Sequence, residues 1–357
     1  MHEQNDSHGG IRFLFIAAAL VVLIWGINQA QSALASSLVA VFLAALGTPA
    51  VAWLERKRLP STAAVLLVLA GMIAILLGIG GLVGASLSGF SDSLPSYQQR
   101  MKEEAGALAA LLAAKGFRVT EKVLLEYLNP AAVMKLFVDM LGGLGGVVSN
   151  IVLILLTVMF ILLEASSFPV KLRAVLGEPR KVFPGFTKFI DDIQRYMLVA
   201  TGLNLSAGIL IGLWLALLGV NSPVLWGFLA FMFLYIPHVG SIIAAVPAVS
   251  LALVQFGPGR AVLVVAGYVA IAFTIGNVLQ PKIMGKKLYL STLVVFLSLI
   301  FWGRMLGLLG AVLCIPFTMA LKFAFESHES TRWLAVLLGP AVPVAGLAPA
   351  PGNKIKN

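Results

Sequence analysis

The 357-residue chain has a formal net charge of +10, 60% apolar residues, only 11% charged residues and a mean hydropathy of +0.99. Soluble domains carry about 25% charged residues, and a soluble chain of this length has too little interior to hide so much apolar surface. A soluble enzyme, a disordered chain and a disulfide-built secreted domain are excluded, which leaves an all-α polytopic membrane protein.

The basic excess belongs to loops, so nucleic-acid binding is not expected. The single cysteine, Cys314, lies in an apolar run and is read as a small packing residue. No metal, cofactor or redox chemistry is indicated.

Charge-free stretches mark the spans, because a charge at the bilayer centre costs about 2.5–3.5 kcal/mol. Phe13 to Leu54 accommodates two helices separated by a polar turn at Asn28, Gln29, Gln31 and Ser32. The start has the outline of a signal peptide, with Ala33-Leu34-Ala35 as a cleavage-like site. Arg12 is the only basic residue ahead of it, which favours a retained helix. Leu59 to Ser91 holds one long span and Met140 to Leu163 another. Tyr196 to Gly259, Ala261 to Pro281 and Leu288 to Leu321 follow, the last broken only by Arg304.

The expected organisation is therefore N-terminal transmembrane helices over 1–91, an extracytoplasmic helical insert over 92–141 and a transmembrane helix over 142–165. A cytoplasmic amphipathic segment over 166–195, a transport core over 196–326 and a cytoplasmic tail over 327–357 complete it. Within the insert, Leu94, Tyr97, Met101, Ala105, Leu108 and Leu112 step by three and four, one apolar helical stripe. Asn129-Pro130 reads as a cap and first-turn proline of another helix. In the amphipathic segment Phe183, Phe186, Phe189 and Ile190 form the apolar side.

Loop charges orient the chain. Glu55-Arg56-Lys57-Arg58, the basic 166–195 stretch and Lys282, Lys286 and Lys287 are expected inside, whereas 92–139 balances acids against bases and is compatible with translocation. Both termini then lie in the cytoplasm. This orientation constrains Val224 to Phe256. A single crossing there would put Lys282, Lys286 and Lys287 outside, so the segment crosses twice or re-enters as a hairpin. At 33 residues it is short for two spans of about 20. The break falls at Ile236-Pro237-His238-Val239-Gly240, since proline and glycine end helices.

The last apolar region repeats this design. With Ser222 set on Ser291, an offset of 69, Phe233 falls on Trp302, Pro247 on Pro316 and Phe256 on Phe325. The second break is expected at Gly303-Arg304-Met305-Leu306-Gly307. Inverted repeats with broken helices meeting at mid-membrane build the substrate site of many secondary transporters, and non-helical backbone at that depth needs protein or water to cover it. About eight hydrophobic segments result, two of them opposed hairpins.

Tyr235-Ile236-Pro237-His238-Val239-Gly240-Ser241 with Pro247-Ala248 resembles the signature of the AI-2E (autoinducer-2 exporter) transporter family. So does Gly276-Asn277-Val278-Leu279-Gln280-Pro281-Lys282-Ile283-Met284-Gly285, and the run from Ser291 to Gly303 is similar to the subgroup of the enterobacterial autoinducer-2 exporter. The resemblance implies an inner-membrane homo-oligomer, a pentamer, that exports a small polar signal molecule. Some relatives act as sodium(lithium)/proton antiporters. Gln280 stands where relatives often carry a glutamate, Leu234 and His238 where they carry asparagines, and Arg304 where they tend to have an aromatic residue.

Ionisable groups inside a membrane are functional candidates by default. Arg304 sits in a glycine-flanked break, and its guanidinium could pair with an anionic or polyol ligand, or it could rest at the interface. His238 could change charge near neutral pH, or simply cap a broken helix. Asn277 and Gln280 are three apart on a helix end, suited to a neutral hydroxylated ligand or to interhelical bonding. With Pro237, Gly240, Pro281, Gly303, Pro247 and Pro316 they form the candidate translocation set. Gly80/Gly84, Gly142/Gly146, Gly208/Gly212 and Gly303/Gly307 are spaced for close helix packing. No phosphate-binding loop, metalloprotease or serine-hydrolase motif is present, so ATP is not the direct energy source. Transporter, antiporter coupled to protons or sodium, channel and non-transporting envelope scaffold remain the classes to separate.

Overall fold

The computed structural model describes residues 29–114, 150–176, 186–284 and 290–340, with a few isolated positions ahead of them. Among these residues the regular structure is helical, without a strand. The expected first span over 11–28, most of the insert and the last residues of the tail lie outside the described residues.

α1 (Gln31–Arg56) and α2 (Ser61–Ala114) form an antiparallel pair, joined by a turn in which Arg58 takes φ 69°. α3 (Ile151–Leu176) packs against both. Ala40, Ala44, Val65, Ile154 and Val158 make their shared core. Their outer faces stay apolar and exposed, as at Leu77 and Val152, which is what lipid-facing helices require. Five helices are long and apolar enough to cross a membrane: Ala33–Arg56, Ser61–Ser86, Lys188–Leu217, Pro258–Met284 and Thr292–Val312.

Two helices extend across the boundaries drawn from charge composition. The chain does not leave the helix near residue 91. α2 runs unbroken for 54 residues, about 80 Å at 1.5 Å per residue, so 92–114 is helical and continuous with the span before it. Charge composition marks where a helix leaves lipid, not where it ends. The expected amphipathic segment over 166–195 falls partly outside the described residues, which leave out 177–185. α3 continues to Leu176, and α4 (Phe186–Leu217) starts at Phe186 and enters the bundle directly. Phe189 stacks on Phe323, ring centroids 4.3 Å apart.

α4 is the axle of the second half. α5 (Pro223–Phe233) folds back along it, with Gly208, Gly212 and Gly227 letting the backbones touch. α6 (Gly240–Phe256) returns, and Asn221 N–H donates to Gln255 Oε1 at 3.2 Å, closing the hairpin base. α5 and α6 have 11 and 17 residues, about 16 and 25 Å, so α5 is too short for a hydrocarbon core of about 30 Å. α7 (Pro258–Phe273) continues through a π-helical turn, Thr274–Leu279, into α8 (Gln280–Met284). The Trp214 indole donates to Leu263 O at 3.1 Å across the face where Gly267 leaves room for it, tying α7 to α4.

The second hairpin comprises α9 (Thr292–Val312) and α10 (Cys314–Glu326), and α11 (Arg332–Leu338) closes its base through Ser291 N–H to Leu338 O, 3.0 Å. Each end of the bundle carries a cation over an aromatic ring: Lys57 over Trp53 at one, Arg260 over Phe256 at the other. Such pairs suit the two polar rims of a bilayer.

Candidate translocation site

The first hairpin breaks at Leu234–Val239. Pro237 has no N–H to continue a helix. The turn is held by Ile236 N–H to Phe233 O at 2.8 Å and Gly240 N–H to Ile236 O at 3.1 Å. His238 sits at φ 64°, a conformation costing a residue with a Cβ roughly 1–2 kcal/mol. Its side chain is exposed. A Cβ on Gly240 would collide with the Phe233 carbonyl, so only glycine permits this reversal.

This tip is anchored deep in the bundle. Tyr235 Oη donates to Thr201 Oγ1 at 2.7 Å, and Thr201 donates in turn to Met197 O. Phe42 of α1 and Phe231 meet the Tyr235 ring edge-on at 6.0 and 5.6 Å. Leu234 packs with Leu203, Ala207, Ile271 and Ile275, which brings the tip beside the π-helical turn. Asn204, 9% exposed, lies on the same stretch of α4.

The π-helical turn follows from Pro281. Proline cannot donate to the carbonyl four residues back, that of Asn277, and its ring crowds that carbonyl. The ladder widens there: Gln280 N–H reaches Ile275 O. Single π-turns frequently occur at functional sites. The widening also alters the expected pairing of side chains. Asn277 is exposed, whereas Gln280 is half-buried with only a long Nε2 contact to Met284 Sδ, 3.8 Å. Pro281 is exposed.

The second hairpin breaks at Gly307, φ 66° and ψ −148°, within α9. Its arms are so close that a Cβ on Gly310 would strike the Trp302 carbonyl. Trp302 Nε1 donates to Thr318 Oγ1 at 3.1 Å, bracing one arm against the other. Gly303 is half-buried and Arg304 exposed. Pro247 and Pro316 are buried in the returning arms.

The offset of 69 reappears in the backbone. Ser222 and Ser291 each precede the first helix of a hairpin, and His238 and Gly307 both take positive φ at its tip. Phe233 and Trp302 both present a carbonyl to a glycine that could hold no Cβ there.

The hairpins are opposed. The first starts beside Ser86 on α2, with Ser222 Oγ donating to Ser86 O, and the second starts at the end where Arg195 donates to Ile283 O. Their tips do not meet at one level. The Tyr235 tip lies by Phe42, while Gly307 faces Gln31 Nε2. Those α1 residues are 11 apart, about 16 Å along the axis. Leu234 against Ile275 sets the first break beside the start of the π-helical turn, and Gly307 lies at another level. Sequence reading missed the Thr201–Tyr235 pair, which only folding brings together. Tyr268, 3% exposed with an unpartnered hydroxyl, was also missed inside its apolar run.

Long apolar helices, two opposed hairpins and non-helical breaks inside the bundle define a multi-pass membrane transport protein. Residues 13–329 match the model of the AI-2E family transporter, and the chain belongs to that family. It is 35% identical over 329 residues to "AI-2 transport protein TqsA" of Escherichia coli (strain K12), covering 92% of this chain and 96% of that relative. It is also 31% identical over 347 residues to "Putative transport protein YhhT" of the same organism, covering 97% and 99%.

Proposed function

We propose that this protein is an inner-membrane exporter of a small polar signal molecule such as autoinducer-2, with both termini in the cytoplasm. The observation that carries the reading is the pair of opposed hairpins whose breaks expose polar backbone inside the helical bundle. Alternating access needs such elements: the two hairpins open from opposite ends, and exchanging their packing would open the path to one side and then the other. The printed name of the relative TqsA supports the choice of substrate. The first break and the adjoining π-helical turn offer polar donors and acceptors, Thr201, Tyr235, His238 and Asn277, which suit a hydroxylated, uncharged solute.

The path carries no carboxylate. From Ile193 to Phe325 the chain has no Asp or Glu, so a proton or sodium antiport centre of the carboxylate type has nowhere to sit in the hairpin half. We infer facilitated export or coupling through another group. A homo-oligomer, a pentamer by the resemblance to its family, is part of this reading.

The test is autoinducer-2 flux in proteoliposomes, with pH, sodium and voltage gradients imposed singly. Saturable flux indifferent to all three is expected. Saturable flux driven by one gradient would replace facilitation with coupling. Linear, non-saturating flux would make it a channel, and no flux of any small polyol would leave the scaffold reading.

A further inference from the structure

We propose that α11 is a membrane-surface anchor: Trp333, Val336 and Leu337 seat in the boundary layer of a phospholipid bilayer, and Arg332 reaches its phosphates. This surface lies outside both hairpin breaks and is independent of what the protein transports. Trp333, Val336 and Leu337 are three and four residues apart, so they share one face of the helix. That face is 61%, 62% and 65% exposed at the three positions, whereas Ala335 is 2% exposed. A helix on a water-facing surface is built the other way round, with its apolar stripe toward the protein. Arg332 is also exposed and stands four residues before Val336, at the start of the same face.

The outward face is held in place. Seven residues do not sustain a helix alone in water, and α11 is tied at both ends. Thr331 Oγ1 donates to Phe325 O at 3.0 Å ahead of it, and Leu338 O accepts from Ser291 N–H at 3.0 Å behind it. Lys322 of α10, whose side chain is 14% exposed, brings its Nζ to the Gly339 end. A cation there suits the unpaired carbonyls of a helix C-terminus.

These ties also set the level of α11. Ser291 immediately precedes Thr292, where the span Thr292–Val312 begins. Phe323 of α10 stacks on Phe189, the second residue of the span Lys188–Leu217. α11 therefore lies where the chain passes between water and hydrocarbon. The exposed apolar residues of α9, Leu293, Phe296 and Leu297, begin two residues beyond the Ser291–Leu338 bond, so α11 adjoins a lipid-facing surface. Tryptophan is enriched at this depth, and interfacial helices bury their apolar face about 5–10 Å into the boundary layer. Around this end Lys188, Arg195, Lys282, Lys322 and Arg332 nearly balance Asp191, Asp192, Glu326 and Glu329. The apolar face thus provides the hold, and Arg332 adds a charge-assisted bond to a lipid phosphate.

The experiment measures depth. In a Cys314→Ala background, V336C, L337C and the water-facing control E329C are spin-labelled singly and reconstituted into phosphatidylethanolamine–phosphatidylglycerol vesicles. Labels at 336 and 337 are expected to collide severalfold more often with oxygen, which dissolves in lipid, than with a water-soluble nickel chelate, and the label at 329 to do the reverse. Chelate-dominated collisions at 336 and 337 would place the face in water and overturn the proposal. Slow collisions with both would mean that a second copy or residues beyond 340 cover the face, which overturns it equally. Cys314 is fully buried, and trimming a buried side chain costs stability, so a second measurement keeps it. The fluorescence of Trp333, taken as the difference between the unaltered protein and W333F, should be quenched by lipids brominated high on the acyl chain and little by iodide. Quenching by iodide alone, or by neither, would overturn the anchor. Both readouts stand whether or not the protein moves autoinducer-2.

Discussion

Replacing Gly307 with alanine tests whether the second break is set by its backbone. Gly307 combines φ 66° with ψ −148°, a region essentially confined to glycine. Placing a Cβ there costs about 1–3 kcal/mol, and the loss of glycine's extra freedom in the unfolded chain returns about 0.4–1 kcal/mol. The net is about 1.3 kcal/mol, or about tenfold in the folded-to-unfolded ratio. The new Cβ would also lie 3.2 Å from Gln31 Nε2. That contact involves the end of a flexible side chain and can yield, so the backbone term dominates. The assay is thermal unfolding of purified protein for G307A, Q31A and the double variant. G307A should unfold several degrees lower, and Q31A should not rescue it. Rescue by Q31A would assign the cost to the side-chain contact. Unaltered stability in G307A would refute the backbone account.

Four further outcomes follow from the same geometry. H238G should raise stability by about 0.5–1 kcal/mol, since relief of the positive φ outweighs added chain entropy, while flux falls if the imidazole faces the solute; thermal unfolding beside transport separates the two. A double-mutant cycle on T201V and Y235F should give a coupling of about 0.5–1.5 kcal/mol in unfolding measurements, and zero coupling would mean the 2.7 Å bond contributes nothing. P281A restores the missing donor, so amide exchange across 276–281 should slow. Unchanged exchange would dissociate Pro281 from the widened turn. R304A should lower flux while leaving the unfolding temperature within a degree or two, and undiminished flux would remove Arg304 from the path.

Much of the architecture was legible because charge avoidance is absolute in lipid. The spans α1 and α4, and the Pro237–Gly240 break, follow from charge-free runs and helix-breaking residues alone. The offset of 69 was visible only as a few matched residues, yet it lands His238 on Gly307, the two positive-φ residues at the tips. What was not legible depends on tertiary depth. Nothing in the pattern near Pro237 or Gly303 encodes how far each hairpin penetrates, so the expected meeting of the breaks became two levels. The charged composition of 92–114 gave no sign that these residues continue the same helix as the span before them. Thr201 and Tyr235 are 34 residues apart in sequence and meet only through the fold. The turn at Asn277 was legible in principle, because Pro281 removes the donor it needs.

The staggering of the two breaks bears on how the protein could be blocked. With about 16 Å of bundle between the Phe42 and Gln31 levels, a molecule of a few heavy atoms engages one break at a time. Competitive ligands should therefore fall into two families that do not exclude each other. One would be drawn to the neutral hydroxyls beside Tyr235, the other to the guanidinium of Arg304. A compound with both heads on a rigid spacer of that length would hold both hairpins at once.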